Sequence, residues 1–325
     1  MIIPRYWAES TVQKRTGNQQ MTIRRFGWSD VSQMEAQRHA DQRASEALAA
    51  SAINSSVPRR EPKRAYNGAD GVPIREEVVE QRGSSIVTRN AYGSLCLNTP
   101  DVLFADIDLE FNPPVALSIS TAIATAVAAL FLLWGHAHWG IVVLSAAGFF
   151  LLALALVEFA YRKVVDFGGG LERRALRRVR NFLNNNRDWK VRVYRTPAGL
   201  RLLAVHRRFS PHEPIVAEFF KAVAADPVYV RMCLKQNCFR ARVSPKPWRI
   251  GIPERIKPYR RVWPYTEEEM QAREKWVAAY ERLAQSFASC QFVESLGMGH
   301  TDVAARSVQE HHDHLCQANV SLPLA

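Results

Sequence analysis

Three acidic residues at alternate positions are the residues of this chain whose types and spacing are best suited to chemistry. Asp106, Asp108 and Glu110 follow the apolar run Val102-Leu103-Phe104. Because side chains alternate along a β-strand, the three carboxyl groups lie on one face, with neighbours about 7 Å apart. Like charges at that spacing repel, and Mg²⁺ or Mn²⁺ bound by carboxylate oxygens relieves the repulsion. The pattern predicts a divalent-metal site at Asp106 and Asp108, with Glu110 as a candidate third ligand.

A second interpretation of the acidic strand needs no metal. The end of the strand can emerge into water, where nearby arginines neutralise its acids. The chain has 43 Lys and Arg against 31 Asp and Glu, which gives a formal net charge of +12. That surplus favours an anionic partner, either a phospholipid surface or nucleic acid, without choosing between them. Both interpretations stay open at the level of sequence.

A β-hairpin is the element predicted to face the acidic strand. Residues 189–196 and 200–206 have the composition of strands, and Pro197-Ala198-Gly199 between them is typical of a tight turn. Arg192 and Arg201 would then point towards the acids. The remaining soluble part alternates predicted helices with short strands. We therefore expect an α+β fold, a mostly antiparallel sheet with flanking helices, built as a single cytoplasmic domain.

Two long apolar segments interrupt this domain directly after the acidic strand. The first begins at Val115 and ends at Trp134, and the second begins at Trp139 and ends at Ala160. At ~1.5 Å per residue, each segment is long enough to cross an apolar slab of ~30 Å. The short connection at 135–138 predicts an inserted two-helix transmembrane hairpin. A buried helix pair in a large soluble core is the alternative.

Positive charge predicts the orientation of this hairpin. The connection at 135–138 has no Lys or Arg, whereas six basic residues follow the second segment: Arg162, Lys163, Arg173, Arg174, Arg177 and Arg178. Basic flanks stay in the cytoplasm. We expect a multi-pass protein of the plasma (inner) membrane, embedded in its lipid bilayer, with cytoplasmic N- and C-termini. The six basic residues would contact anionic phospholipid headgroups.

These patterns predict five segments along the chain. They are an N-terminal helix with a basic linker (1–72), the first part of the cytoplasmic domain (73–113), the transmembrane hairpin (114–161), the second part of the domain with a basic arm rich in Pro and Trp (162–265), and a C-terminal amphipathic helix and tail (266–325). The basic arm could offer phosphate contacts and aromatic platforms for unpaired bases. It could equally be an extended arm that packs over its own domain.

The cysteines and the C-terminal histidines are predicted to be structural or solvated residues. Five cysteines in a cytoplasmic protein favour free thiols over disulfides. Near the C-terminus, His311, His312 and His314 precede Cys316 and invite a metal interpretation. Adjacent positions on a helix point about 100° apart, so these side chains cannot all converge. A solvated terminal helix is the expectation.

A resemblance to a known family rests on two of these motifs. An apolar strand that ends in Asp106-Ile107-Asp108, a helix, and then the turn Thr196-Pro197-Ala198-Gly199-Leu200-Arg201 resemble the catalytic core of archaeo-eukaryotic primases and primase-polymerases, over about residues 85–250. The resemblance implies a primase-core or RRM-like fold. It also implies that Asp106 and Asp108 hold divalent metal for nucleotidyl transfer.

The same resemblance implies a set of nucleotide- or phosphate-binding residues. They are Thr196, Gly199, Arg201, His206, Arg242 and Lys246. The chain departs from the family pattern, since Arg201 stands where a histidine is expected and His206 follows five residues later. A third metal-binding acid is also missing around residues 239–246, so the sequence leaves open whether the domain is catalytic.

A second resemblance, carried by Arg25-Phe26-Gly27-Trp28-Ser29 and Pro245-Lys246-Pro247-Trp248-Arg249, is to a group of bacterial membrane-associated proteins of unassigned activity. Two functions follow from the whole sequence. One is a metal-dependent domain that handles nucleotide or nucleic acid, active or inactive. The other is a non-enzymatic membrane-associated scaffold or regulatory protein that binds anionic lipid or a protein partner.

Overall fold

The computed structural model describes most of the chain, namely residues 3–16, 19–53, 57–60, 72–109, 115–133, 138–258 and 263–325. Within these ranges the protein is α+β, with antiparallel sheets and flanking helices, as predicted. Two compact units are formed, one by residues 1–107 with 183–325 and the other by residues 108–182. Glu110, Trp134 and most of the basic linker lie outside the described residues.

The elements follow one another along the chain in this order: β1 (Tyr6–Thr16), β2 (Gln19–Ser29), α1 (Gln33–Ile53), β3 (Glu77–Arg82), β4 (Ser85–Arg89), β5 (Leu95–Thr99), β6 (Phe104–Asp108), α2 (Val115–Leu133), α3 (Trp139–Phe167), α4 (Gly170–Asn185), β7 (Val191–Thr196), β8 (Gly199–Ala204), α5 (Pro214–Val223), α6 (Pro227–Gln236), β9 (Phe239–Arg242), α7 (Glu267–Ala284), β10 (Gln291–Leu296) and α8 (Val303–Cys316).

The acidic strand β6 belongs to a four-stranded sheet of order β10-β7-β8-β6. β7 pairs antiparallel with β8 and with β10, so the predicted β7–β8 hairpin is confirmed. β8 has a neighbouring strand on each side, and it is buried at every position, so both of its faces are covered. Along β6, Ala105 and Ile107 are buried while Asp106 and Asp108 are at least partly exposed, which is the predicted alternation.

A second four-stranded sheet has the order β3-β4-β5-β9, and its pairs are antiparallel. The β4–β5 hairpin lies in this sheet, whereas the acidic strand β6, which follows it along the chain, lies in the first sheet. Pro100 has no N–H to continue the ladder. The Thr99 hydroxyl accepts hydrogen bonds from the N–H groups of Asp101 (3.4 Å) and Val102 (3.3 Å), which turns the chain out of the second sheet before β6 begins.

An N-terminal hairpin, β1–β2, packs against α1 through small residues. Ala36, Ala40 and Ala44 are fully buried at the predicted helical spacing. A Cβ atom at Gly27 would lie 2.2 Å from the Ala40 backbone nitrogen, so the strand and the helix approach unusually closely. Met34, near the start of α1, is 79% exposed and lies outside this contact.

In the unit of residues 108–182, helices α2 and α3 contact each other. α3 continues to Phe167, well beyond Ala160, where the predicted segment ended. In the described part of the chain, α3 alone is long and apolar enough to cross a membrane by length and composition, with a mean hydropathy of 2.6 over its most apolar stretch. Gly169 and Gly170 have φ angles of +87° and +84°, and this left-handed backbone separates α3 from α4.

Candidate functional site

An ion pair between a buried arginine and a partly exposed aspartate dominates the environment of the acidic strand. Arg201 on β8 is 2% exposed, and its Nε donates to Asp106 Oδ1 at 2.8 Å while its Nη2 donates to Oδ2 at 3.2 Å. Burial alone would lower the pKa of Arg201, but the Asp106 carboxylate outweighs that effect and raises the pKa above its usual value. Arg201 therefore stays charged, and it holds both oxygens of Asp106.

This geometry matches the interpretation in which arginine neutralises the acidic strand. A metal ion at Asp106 would have to compete with a bidentate guanidinium for the same two oxygens. Asp108 is exposed at the end of β6, and Glu110 lies outside the described residues. The predicted metal role of Asp106 and Asp108 stays a prediction.

The β7–β8 hairpin positions the other residues implied by the primase resemblance. Thr196 pairs with Gly199 at the turn, and the Thr196 hydroxyl accepts a hydrogen bond from the Gly199 N–H at 3.0 Å. Arg201 faces β6 as predicted. Arg192 does not, because its Nη2 donates to Asp313 Oδ2 at 2.9 Å and its guanidinium lies 4.1 Å from the centre of the Phe292 ring.

His206 lies in an aromatic cluster in the interior. Its side chain is 3% exposed, and its ring centre is 4.6 Å from that of Trp189 and 5.3 Å from that of Phe209. Burial lowers the pKa of His206 from 6.5 to about 4. The imidazole is therefore neutral at physiological pH and packed against aromatic rings, an environment that suits packing better than phosphate binding.

The described part of the basic arm lies over its own domain. The Pro245 carbonyl accepts hydrogen bonds from Ser94 at 2.6 Å and from Tyr280 at 2.7 Å, and Ile250 packs against the Tyr280 ring. Lys246 lies 5.4 Å from the centre of the exposed Trp248 ring. Arg242 is half-buried on β9, and its carbonyl accepts a hydrogen bond from Arg201 at 2.7 Å.

A cluster of two thiols and one imidazole lies beside the Arg201–Asp106 ion pair. Cys290 and His312 are completely buried and Cys316 is 1% exposed, so the prediction of a solvated terminal helix is wrong for this face of α8. The donor atoms of the three residues all lie within 4.8 Å of one another. The other two histidines point away from the cluster, as expected: His314 is exposed, and His311 Nε2 lies 3.3 Å from Glu80 Oε2. The signal that was missed is the i, i+4 spacing of His312 and Cys316, which places both side chains on one helix face.

Hydrogen bonding fixes the orientation of the His312 ring. Its Nδ1 lies 3.1 Å from Asp313 Oδ1, and its Nε2 lies 3.4 Å from Cys316 Sγ and 3.9 Å from Cys290 Sγ. Arg201 Nη1 lies 3.4 Å from the same Nε2. Burial alone would raise the pKa of the Cys316 thiol, but the Cys290 thiol and His312 outweigh it and hold that pKa well below its usual value. The cluster therefore favours a thiolate at Cys316 in a fully buried setting.

Comparisons of the chain with protein-family models, with curated proteins and with solved structures give no match.

The first prediction from this site concerns the two acids of β6. Asp106→Asn leaves the buried Arg201 without its counter-charge, so we expect the free energy of unfolding to fall by about 3 kcal/mol. Asp108→Asn, two residues further along the same strand and exposed, should change it by no more than about 0.5 kcal/mol. Denaturant unfolding of the full chain in detergent, followed by tryptophan fluorescence, measures both. Equal losses in the two variants would contradict this account.

The second prediction concerns His206 and acid. The folded state keeps His206 neutral down to about pH 4, whereas the unfolded state takes up a proton near pH 6.5. The free energy of unfolding should therefore fall as the pH is lowered through this window, by at most about 3 kcal/mol from this group. His206→Phe should flatten the dependence measured by urea unfolding at a series of pH values. His212→Phe, which changes an exposed histidine, is the control and should leave the dependence unchanged.

Proposed function

We propose that this chain is a membrane-anchored protein in which α2 and α3 cross the bilayer as a hairpin and hold the α+β domain at the cytoplasmic face of the plasma (inner) membrane. One observation carries the proposal: the large apolar side chains of α3 are exposed. Leu144 is 75% exposed, Leu151 64% and Phe159 59%. Exposure of one such side chain to water costs about 1.5–3 kcal/mol relative to its burial. Contact with lipid would remove this cost.

The pattern of burial between the two helices supports the same proposal. The buried positions include small residues at seven-residue spacing, Ala122 and Ala129 on α2 and Ala146 and Ala153 on α3. Large residues such as Phe131, 78% exposed, point outwards. Small residues at the helix contact and large ones outside are typical of helices that pack in lipid, where close backbone approach drives association. A helix pair in the core of a soluble protein has its large residues inside.

Helix lengths and charges support a particular depth in the bilayer. The described 19 residues of α2 extend ~28 Å at ~1.5 Å per residue, slightly less than the ~30 Å of the hydrocarbon layer, so α2 would have to span it nearly upright. On α3, charges begin at Glu158, whose carboxylate pairs with Arg162 at 2.8 Å. The hydrocarbon boundary would lie near this pair, and the rest of α3 would extend into the headgroup region.

The helix α4 would then lie at the membrane surface. Arg173, Arg174 and Arg177 are exposed on it, whereas Val179 and Phe182 are buried on its apolar face. Each positive charge of such a face contributes about 1 kcal/mol to the free energy of binding to anionic headgroups. With the pairing of Asp106 to Arg201, these features favour a non-enzymatic scaffold or regulatory role, in which the tethered domain binds lipid or a protein partner.

A charge placed in the proposed lipid-facing surface tests the anchor. Leu144→Arg with Leu151→Arg should shift the full chain from the membrane pellet to the soluble or degraded fraction, since each Arg costs about 2.5–3.5 kcal/mol at the centre of a spanning helix. Met298→Arg, at a position that is 92% exposed outside α2 and α3, is the control and should stay in the pellet. Ultracentrifugation after carbonate washing, without detergent, gives the readout. An unaltered chain that stays in the supernatant would refute the proposal.

A metal-dependent domain that handles nucleotide or nucleic acid is the second candidate function. It is favoured by one observation, that β6 lies next to β8 in the sheet, so the Asp-x-Asp strand and the hairpin are neighbours as in the primase resemblance. Asp106 and Asp108 would bind Mg²⁺ or Mn²⁺, and the hairpin would contact the nucleotide.

Calorimetric titration of Mn²⁺ into the full chain in detergent tests this candidate. We expect a binding heat that is lost in the Asp106→Ala, Asp108→Ala double variant, together with Mn²⁺-dependent incorporation of labelled nucleotides. The same heats in the variant and in the unaltered chain would exclude the acidic strand as a metal site.

A further inference from the structure

The cluster of Cys290, His312 and Cys316 has the donor chemistry of a metal centre, and it is separate from the proposed membrane anchor. We propose that these three residues bind a thiophilic divalent cation, with zinc as the best-fitting ion. Two thiolate sulfurs and one imidazole nitrogen form a set of ligands that zinc prefers over Mg²⁺ or Ca²⁺. The acidic strand would bind an ion of the opposite, oxygen-seeking class, so the two sites are chemically distinct.

The distances within the cluster fit a tetrahedral ion. Zinc bonds of about 2.3 Å to sulfur and about 2.0–2.1 Å to nitrogen place the two donor atoms about 3.5 Å apart at a tetrahedral angle. His312 Nε2 lies 3.4 Å from Cys316 Sγ and 3.9 Å from Cys290 Sγ. Both nitrogen–sulfur distances are therefore within about 0.4 Å of the separation that one tetrahedral ion requires, and all three donor atoms lie within 4.8 Å of one another.

The surroundings of His312 are those of a metal ligand. Asp313 holds Nδ1, so Nε2 is the nitrogen that faces the two sulfurs. Asp313 in turn accepts a hydrogen bond from Arg192 Nη2 at 2.9 Å. A carboxylate that orients a histidine in this way fixes the tautomer and increases the basicity of the ligating nitrogen.

The charges of the cluster also balance with a divalent ion. Two thiolates neutralise Zn²⁺, and the neighbouring Arg201 is neutralised by Asp106, so no net charge is left in the interior. The ion would join Cys290, directly before β10, to α8 and so attach the C-terminal helix to the sheet. Three protein ligands leave a fourth position for water or another small ligand.

Metal content and cobalt substitution of the full chain in mild detergent test the proposal. We expect about one zinc per chain after purification, and Co²⁺ exchanged into the site should show the thiolate-to-cobalt charge-transfer and d–d bands of a tetrahedral centre. Cys290→Ser and Cys316→Ser should each lower the affinity for zinc by at least tenfold. Cys238→Ser is the matched control, since Cys238 is equally buried but lies outside the cluster, and it should retain the metal.

A measurement on the unaltered chain keeps the proposal testable if the serine variants do not fold. A zinc chelator should release the metal, lower the melting temperature and make Cys290 and Cys316 accessible to alkylation, as read by peptide mass spectrometry, while Cys238 stays protected. Absence of zinc, cobalt spectra without charge-transfer bands, or alkylation that does not respond to the chelator would each overturn it.

Discussion

The positive charge of Arg201 is the constraint around which the α+β domain is assembled. A guanidinium in the protein interior is tolerated only when its charge and its N–H groups are satisfied. Arg201 meets this requirement with partners from two sheets: the Asp106 carboxylate on β6 and the Arg242 carbonyl on β9. A third contact of the guanidinium, to His312 Nε2, comes from α8. Elements far apart in the sequence are therefore joined at one side chain.

Other buried arginines are also paired with acids, so not every basic residue that the sequence contains is free to bind a partner. Arg240 on β9 is 7% exposed and binds Glu76 at 2.7 Å, and Arg273 on α7 is 2% exposed and binds Glu77 at 2.7 Å. Several cations that the sequence counts towards a net charge of +12 thus have fixed acidic partners in the interior. The positive charge offered to an outside partner is concentrated on fewer elements, among them the exposed face of α4.

Local patterns in the sequence predicted local structure well. Turn chemistry at Pro197-Ala198-Gly199 predicted the β7–β8 hairpin, and the predicted helix after residue 266 is α7, which begins with a capping box of Thr266 and Glu269. β1 was missed because polar residues dominate it. The thiol–imidazole cluster was missed for another reason: the i, i+4 spacing on α8 brings together only His312 and Cys316, and Cys290 joins them only through tertiary packing.

The contact between β2 and α1 has a consequence for how this protein can vary. A methyl group at Gly27 would overlap the backbone of Ala40. Because strand and helix approach so closely, the residues on both sides of the contact are limited to the smallest types. A larger side chain on either surface can be accommodated only if the helix moves away from the hairpin, and no single compensating change restores the original spacing. Related sequences that share this arrangement should therefore keep glycine and alanine together here, or replace them together.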